Sequence, residues 1–302
     1  MRNLISVICP VTNEPPALVR KTWNSVLNQT YKNVELVIIE DGVEEDSLLK
    51  LVDEFEKRDR VVIGRRERRG KRKNRLRTCS ESYNLGTKLS SGNWIAHNAS
   101  DNHFEPDWAE RLVGFIAGRE DEINGVCTNW VKHNYDGSTE VVDMTERYDW
   151  SKHTLENYVR IESLGGWIYK ADWCGKIEWD ARFPRKQTRE FHIRLFKTGD
   201  IVHYPKFLWH FEQWEPDQQK NYASVHWRVL ADLKNDIHDA GNLMFGMQLS
   251  RRTGDPNLYY AAISAYHEFM TDPKWRKEYE RSRFKAEMER IIDKYTEEAT
   301  EK

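Results

Sequence analysis

The 302-residue chain has little of what would commit it to several classes of protein. It has four cysteines, Cys9, Cys79, Cys127 and Cys174, with no paired spacing. That scatter excludes a zinc ribbon and a disulfide scaffold and fits a reducing compartment. No apolar run approaches the roughly 20 residues needed to span a bilayer. The opening Met1-Arg2-Asn3-Leu4-Ile5-Ser6 passes straight into a strand-like segment and lacks the apolar core of a signal peptide. A cytoplasmic location is therefore expected, and the Asn-x-Thr/Ser triplets at Asn28 and Asn98 carry no weight as glycosylation acceptors. The formal net charge is −2, so no global field draws the chain to nucleic acid or anionic membrane. Internal repeats and low-complexity segments are missing too. Tryptophan, by contrast, is plentiful, with twelve residues. It suits a packed core and equally suits stacking on sugar rings.

Hydrophobic patterning gives the architecture of the first part. Leu4 to Cys9 is a continuous apolar run, the mark of a strand buried on both faces. Pro10-Val11-Thr12-Asn13-Glu14-Pro15-Pro16 reads as a loop, followed by a helix with Leu18, Val19, Trp23, Val26 and Leu27 on one face. A second buried strand spans Val34 to Ile39 and ends in Glu40-Asp41-Gly42. A helix carrying Leu48, Leu49, Leu51, Val52 and Phe55 leads to a third strand, Val61-Val62-Ile63. This alternation predicts a parallel, right-handed α/β unit.

Between Gly64 and Arg77, Arg65, Arg66, Arg68, Arg69, Lys71, Arg72, Lys73, Arg75 and Arg77 crowd one connection. Arginines there suit phosphates through forked hydrogen bonds, or form an ordinary solvated loop. A helix from Ser80 to Leu89 precedes a short buried strand, Trp94-Ile95-Ala96, which runs into the polar corner Asn98-Ala99-Ser100-Asp101-Asn102. Pro106 then sits where a helix can begin. Asp101 is thus placed at the carboxyl end of a strand, the edge where open α/β sheets bind ligands. A carboxylate there can hold a divalent cation and, through it, a diphosphate. Read from this stretch alone, a plain turn aspartate accounts for it as well.

After the helix that buries Trp108, Leu112, Val113, Phe115 and Ile116, Gly125 to Val131 reads as a strand. A hairpin turn at Asp136-Gly137 brings back Glu140-Val141-Val142. Met144 to Ile161 reads as irregular, and Leu164 to Tyr169 as a loop entering a strand. Trp179 to Phe183 is a turn before a helix over roughly Thr188 to Lys197. Ile201 to Tyr204 is a short strand, followed by Phe207 to Phe211. From about Pro216 the pattern turns helical, with Val225, Val229, Leu230, Leu233 and Ile237, then Tyr259, Ala262, Ile263, Tyr266 and Met270. The boundaries expected are 1–215 for the α/β domain and 216–302 for a helical extension, which would cover an acceptor site or form a homodimer.

Several of these segments together resemble family 2 glycosyltransferases of the GT-A fold. They are Ile5 to Glu14 (ISVICPVTNE), Ser25 to Gly42 (SVLNQTYKNVELVIIEDG), Tyr83-Asn84-Leu85-Gly86, Ser91 to Ala96 (SGNWIA) and Pro106-Asp107-Trp108. The likeness is strong over about the first 110 residues, traceable to about Trp214, and does not reach the helical tail. It implies a mostly parallel sheet flanked by helices and transfer of a sugar from a nucleotide diphosphate donor, in such enzymes usually a uridine diphosphate sugar. It implies Mn²⁺ or Mg²⁺ as cofactor and a glycan, lipid-linked or other hydroxyl acceptor.

Residue by residue, the resemblance assigns Pro10, Val11, Thr12 and Glu14 to the nucleotide pocket and Asp41 to the nucleobase. The Asp-x-Asp signature falls on Ala99-Ser100-Asp101. The first acid is replaced by Ala99, and Asp101 keeps the metal-binding position. Asn98 or Ser100 would take over contacts to the ribose, Arg77 would hold phosphate, and His210 is the candidate to complete the metal shell. Inverting members take the acceptor proton with a carboxylate, often in a Glu-Asp pair ahead of Arg-Leu. Alignment on Arg194-Leu195 puts Gln187-Thr188 there, and threonine is no base at neutral pH. Glu190 and then Asp180 are the candidate bases, with Glu190 equally readable as a surface acid facing Arg194 at i,i+4. A catalytically impaired binding protein that uses the basic loop 65–77 for a polyanion is the alternative reading, with affinity falling steeply in salt. Nucleotidyl transfer lacks the glycine-rich phosphate loop it would need.

Overall fold

The computed structural model describes residues 3–66, 79–147, 165–181, 187–196, 198–199 and 201–213. The chain divides into two compact units, Met1–Asp217 and Gln218–Lys302. The second unit, which holds the expected helical extension, lies outside the described residues, as do Arg77 and the rest of the run 67–78.

Three strands form the centre. β1 (Ile5–Val11), β2 (Val34–Asp41) and β4 (Trp94–His97) are almost wholly buried. All pair in parallel, with β1 in the middle, Ile5 facing Val34 on one side and Trp94 on the other. β3 (Val61–Arg66) extends the sheet beyond β2. α1 (Pro16–Leu27) and α2 (Asp46–Glu56) connect β1 to β2 and β2 to β3. Their contact is sealed by Trp23 and Phe55, edge to face at 5.0 Å. α3 (Ser80–Leu89) returns from β3 across β2 and β1 to reach β4. A right-handed crossover that reverses direction along the sheet must cover the opposite face. The strand order therefore switches at β1 and β4, opening a crevice at their carboxyl ends.

The second half continues the sheet. β5 (His103–Phe104), α4 (Trp108–Ile116), β6 (Gly125–His133), β7 (Thr139–Val142) and α5 (Met144–Arg147) come first. β8 (Ile168–Lys170), α6 (Ala171–Cys174), α7 (Gln187–Phe196) and β9 (Ile201–Glu212) complete the described elements. The nine-stranded sheet has the order β3-β2-β1-β4-β8-β6-β9-β5, with β7 on β6. β6 and β9 pair in parallel, whereas β8, β7 and β5 pair antiparallel with their neighbours.

Several elements differ from the sequence reading. β1 does not end at Pro10 but continues to Val11. Ile8 accepts from Asn98 N–H on the β4 side. Pro10, two residues on, faces the same side, where the β4 ladder has ended and its missing N–H costs nothing. β3 runs on through Gly64-Arg65-Arg66, so the basic run begins as sheet and not as loop. The segments 201–204 and 207–211 are one strand carrying a bulge around Pro205. Its register on β6 shifts from Thr128↔Tyr204 to Trp130↔Trp209. A bulge lets a proline enter a strand without breaking the sheet. The helix expected at Pro106 begins at Trp108, and α5 lies within the stretch read as irregular.

The family-like motifs have structural duties. Gln29 bonds the carbonyls of Ser25 and Glu105 and accepts Ala109 N–H, tying α1 to the start of α4. Buried Glu35 accepts from Ser6, from Ser91 N–H and from Ser91 Oγ, which fixes β1, β2 and the entry to β4 against one another. A buried carboxylate is tolerable only with such full satisfaction. At Gly86 a Cβ would lie 2.2 Å from Ile8 Cγ2, so α3 sits directly on β1.

Gly86→Ala is accordingly expected to lower the unfolding free energy by about 1–3 kcal/mol, the usual cost of overpacking a core. Urea denaturation measures it, and an unchanged midpoint would show that α3 can stand off the sheet.

Candidate functional site

Because β2, β1 and β4 are adjacent and parallel, their carboxyl ends share one edge. Asp41 ends β2, Val11 ends β1, and the turn holding Ser100 and Asp101 follows β4. Two sheet spacings, about 10 Å, separate the flanking strands. Near these acids lie side chains that sense one or the other: Cys79 senses Asp41, Tyr83 senses Asp101, and both sense Glu14. Loss of hydration raises the Cys79 thiol to about 11, Gln187 opposes the rise, and the charges of Asp41 and Glu14 add to it. Burial raises the Tyr83 phenol well above its usual range, and Cys79, Cys9, Asp101 and Glu14 contribute further. Asp41, Glu14 and Asp101 therefore converge on one rim.

Asp41 is held by partners that the sequence reading missed. Arg66 Nη1 lies 3.0 Å and Ser82 Oγ 2.9 Å from its Oδ2, and Arg66 also donates to Ser82 and Glu81. Both bonds to Asp41 fall on one oxygen. Arg66 stands opposite Asp41 in the β2–β3 register, a pairing visible only once β3 is known to extend that far. Gly42, at φ 62°, makes the turn out of β2 that other residues resist. Pro10 and Val11 are buried in β1. Glu14 accepts the backbone N–H groups of Thr12 at 2.8 Å and Asn13 at 3.1 Å, so it folds its own loop back on itself.

The turn after β4 separates the two residues proposed for the ribose. Asn98 is fully buried; it donates to the Asn102 carbonyl at 2.9 Å and accepts the Trp209 indole N–H at 2.9 Å. Its amide is committed to the fold. Ser100 is also buried, but its Oγ has no hydrogen-bond partner among the described residues.

His210 stands in a different set of contacts from the metal shell expected of it. Its Nδ1 lies 2.9 Å from His133 Nε2 and its Nε2 2.7 Å from Glu105 Oε1, and its ring stacks on His103 at 4.4 Å. Both ring nitrogens are engaged, so a cation would have to displace one of these bonds. Among the described residues no group of three His, Cys, Asp or Glu side chains is arranged to hold a metal. Among the described residues of this turn, Asp101 offers a carboxylate and its chain neighbour Ser100 a buried hydroxyl. That donor set suits a cation that keeps most of its shell from water and substrate phosphate, as Mg²⁺ commonly does.

Glu190 pairs with Arg194 as its i,i+4 spacing suggests, but not at the surface. Its side chain is fully buried, with both oxygens 2.7 Å from the guanidinium, and Arg194 reaches on to the Glu178 carbonyl. To accept a proton it would have to leave that fork. Asp180 is half-buried and directly follows Trp179. Asn84 clamps Trp179 through both its backbone N–H and carbonyl, and the indole stacks on Tyr83 at 4.8 Å and Phe191 at 4.1 Å. Trp179, which precedes Asp180 in the chain, is thus held against Tyr83.

Beneath this rim His97 is enclosed by Tyr83, Trp179, Phe191 and Tyr169. Burial, aided by His192, lowers it from near 6.5 to about 3, and burial lowers His192 similarly. A histidine neutral in the fold but protonated when unfolded makes stability fall as pH drops from about 6.5 toward 3. His97→Leu should flatten that fall by about 1.4 kcal/mol per pH unit inside the window. Unfolding free energies measured from pH 7 to 4 check it, and an identical slope in the variant would refute it.

Residues 6–200 match the family model described as glycosyl transferase family 2. A glucosyl-dolichyl phosphate glucuronosyltransferase of Haloferax volcanii is 34% identical over 129 residues, 41% of this chain and 38% of that protein. The glycosyltransferase GlyA of Streptococcus pneumoniae is 35% identical over 120 residues, 39% of this chain and 16% of the relative. The chain thus matches well under half the length of both. Among solved structures, S. aureus TarS 1–349 in complex with UDP-GlcNAc superposes with a TM-score of 0.60 at 16% identity, over 82% of this chain and 71% of that one. The arrangement is that of a GT-A glycosyltransferase sheet. Among the described residues no helix is long and apolar enough to cross a membrane.

Proposed function

The chain belongs to glycosyl transferase family 2, and from that premise we propose that it transfers a sugar from a uridine diphosphate donor to an acceptor hydroxyl with inversion. The observation that carries the reading is the convergence of Asp41 and Asp101 at one sheet edge on either side of β1. Asp41, its Oδ2 fixed by Arg66 and Ser82, presents an acceptor to a base with a ring N–H, which uracil has. The complexes of TarS with UDP and UDP-GlcNAc support the choice of nucleotide.

The end of β1 and the turn after it, Pro10–Glu14, braced by Glu14, line the space between the two acids. Asp101, with Ser100 beside it, faces the diphosphate end. A Mn²⁺ or Mg²⁺ ion bound there with the donor would offset charge on the departing diphosphate. His210 is left out of that shell because its nitrogens already serve Glu105 and His133.

Proton removal falls to Asp180 ahead of Glu190. The acceptor hydroxyl must lose its proton as its oxygen attacks the anomeric carbon from the face opposite the leaving group. Asp180 is half-buried, one residue beyond the Trp179 that stacks on Tyr83, whereas Glu190 is fully buried with its carboxylate forked to Arg194. The acceptor class, whether glycan, lipid-linked sugar or another hydroxyl compound, is left open by these residues. The alternative reading as a binder of polyanions through 65–77 loses two of its cations. Arg65 is paired with Glu40 and Glu56, and Arg66 with Asp41 and Glu81.

A screen of nucleotide sugars for donor hydrolysis, with and without Mn²⁺, tests the activity; consumption of no donor in either condition would reject it. Asp101→Ala is expected to abolish the Mn²⁺-dependent part of UDP binding in calorimetry while leaving the fold intact. Asp180→Asn should cut turnover by about 10²-fold or more at nearly constant donor affinity. Glu190→Gln should chiefly lower the melting temperature, because it breaks a buried ion pair. Loss of turnover in Glu190→Gln at unchanged melting temperature would move the base there.

A further inference from the structure

We infer that Trp209 and Asn102 are positioning residues for Asp101, holding from the last strand the turn that presents it. The inference rests on the assignment of Asp101 to the donor diphosphate. The turn from Asn98 to Asn102 leaves β4 with one backbone bond to the centre of the sheet, Asn98 N–H to the Ile8 carbonyl at 2.9 Å. Besides this bond and the Asn98 side-chain contact with Cys9, both on β1, its ends are fastened among the described residues to β9 and within the turn. The Trp209 indole donates to Asn98 Oδ1 at 2.9 Å, Asn98 Nδ2 donates to the Asn102 carbonyl at 2.9 Å, and Asn102 Oδ1 accepts Glu212 N–H at 2.9 Å. Ser100 and Asp101 lie between these fastened ends.

The Trp209 bond is a specific feature and not a consequence of burying an indole. Trp23, Trp108 and Trp179 are equally buried, and their indole N–H groups have no hydrogen-bond partner among the described residues. The ring is also braced from behind. A Cβ on Gly165 would lie 1.7 Å from it, so only glycine permits the Gly165-Gly166 turn to lie against it. Thr128 Oγ1 anchors that turn through the Gly166 carbonyl at 3.1 Å. The β9 bulge sets the level of the tryptophan. Before it Thr128 faces Tyr204, and after it Trp130 faces Trp209. The offset between the strands grows from 76 to 79, which advances β9 by three residues. Bulges re-aim side chains in this way.

The test compares Trp209→Phe and Asn102→Ala with Asp101→Ala in the full chain by calorimetry. The probes are UDP with Mn²⁺, which engages Asp101, and uridine without metal, which needs only the Asp41 side of the rim. Both positioning variants should weaken UDP binding in Mn²⁺ by about 10- to 100-fold, the usual effect of outer partners of a metal ligand, with uridine affinity within about twofold of the parent. A parallel fall for uridine would mark these residues as mere supports of the fold and overturn the inference, as would unchanged UDP affinity in either variant. If Trp209→Phe does not fold, Asn102→Ala decides. Unchanged Mn²⁺-dependent UDP binding in Asp101→Ala would instead sink the assignment of Asp101 itself.

Discussion

Parallel hydrogen bonding of β1 to β2 on one flank and to β4 on the other is the constraint from which the site follows. It takes three segments far apart along the chain and forces their carboxyl ends onto one edge. Parallel neighbours cannot be joined by a tight turn, so helices must carry the chain back across the sheet. Where the crossover changes direction, at β1 and β4, the carboxyl ends of the strands border a crevice. Buried Glu35 fixes this arrangement with three short bonds to Ser6 and Ser91, at a place where any slip would strand a charge. A carboxylate so placed contributes specificity of register more than net stability.

The two halves of the described sheet divide the work. The first supplies the acids, Asp41 with its Arg66 and Ser82 braces, and Asp101. The second braces that edge. β9 ties down the turn after β4 through Trp209 and the Glu212 N–H, and an aromatic floor of Tyr83, His97, Trp179 and Phe191 backs α3. Asn84, in the Tyr-Asn-Leu-Gly segment, holds Trp179 by two bonds. The abundance of tryptophan is met largely by this packing: the described core includes Trp23, Trp94, Trp108, Trp167 and Trp209.

The histidines form a system of their own. His103, His133 and His210 stack with nearly parallel rings, and His133 and His210 are also joined by a nitrogen-to-nitrogen hydrogen bond. Burial, with Lys21 and the neighbouring rings His210 and His133, lowers His103 to about 3, so this ring is neutral at physiological pH. The stack joins β5 to β6 and β9 and closes the sheet beyond the acid-bearing turn.

What the sequence determined by itself was the order of the strands and helices of the first half and the identity of the two acids on its edge. Apolar runs such as Leu36–Ile39 are best placed inside a sheet, Asp41-Gly42 closes that run, and Asp101 stands in the turn after the short run Trp94–Ala96. What only the tertiary structure decided was what each polar side chain does. Asn98, read as a ribose contact, spends its amide on Trp209, 111 residues away. His210 spends both nitrogens on Glu105 and His133. Glu190, four residues from its partner, pairs as local spacing allows, yet its complete burial was not local information. Hydrophobic periodicity is a short-range signal carried by the chain itself, whereas the partner of a hydrogen bond is set by which distant strands come to lie side by side.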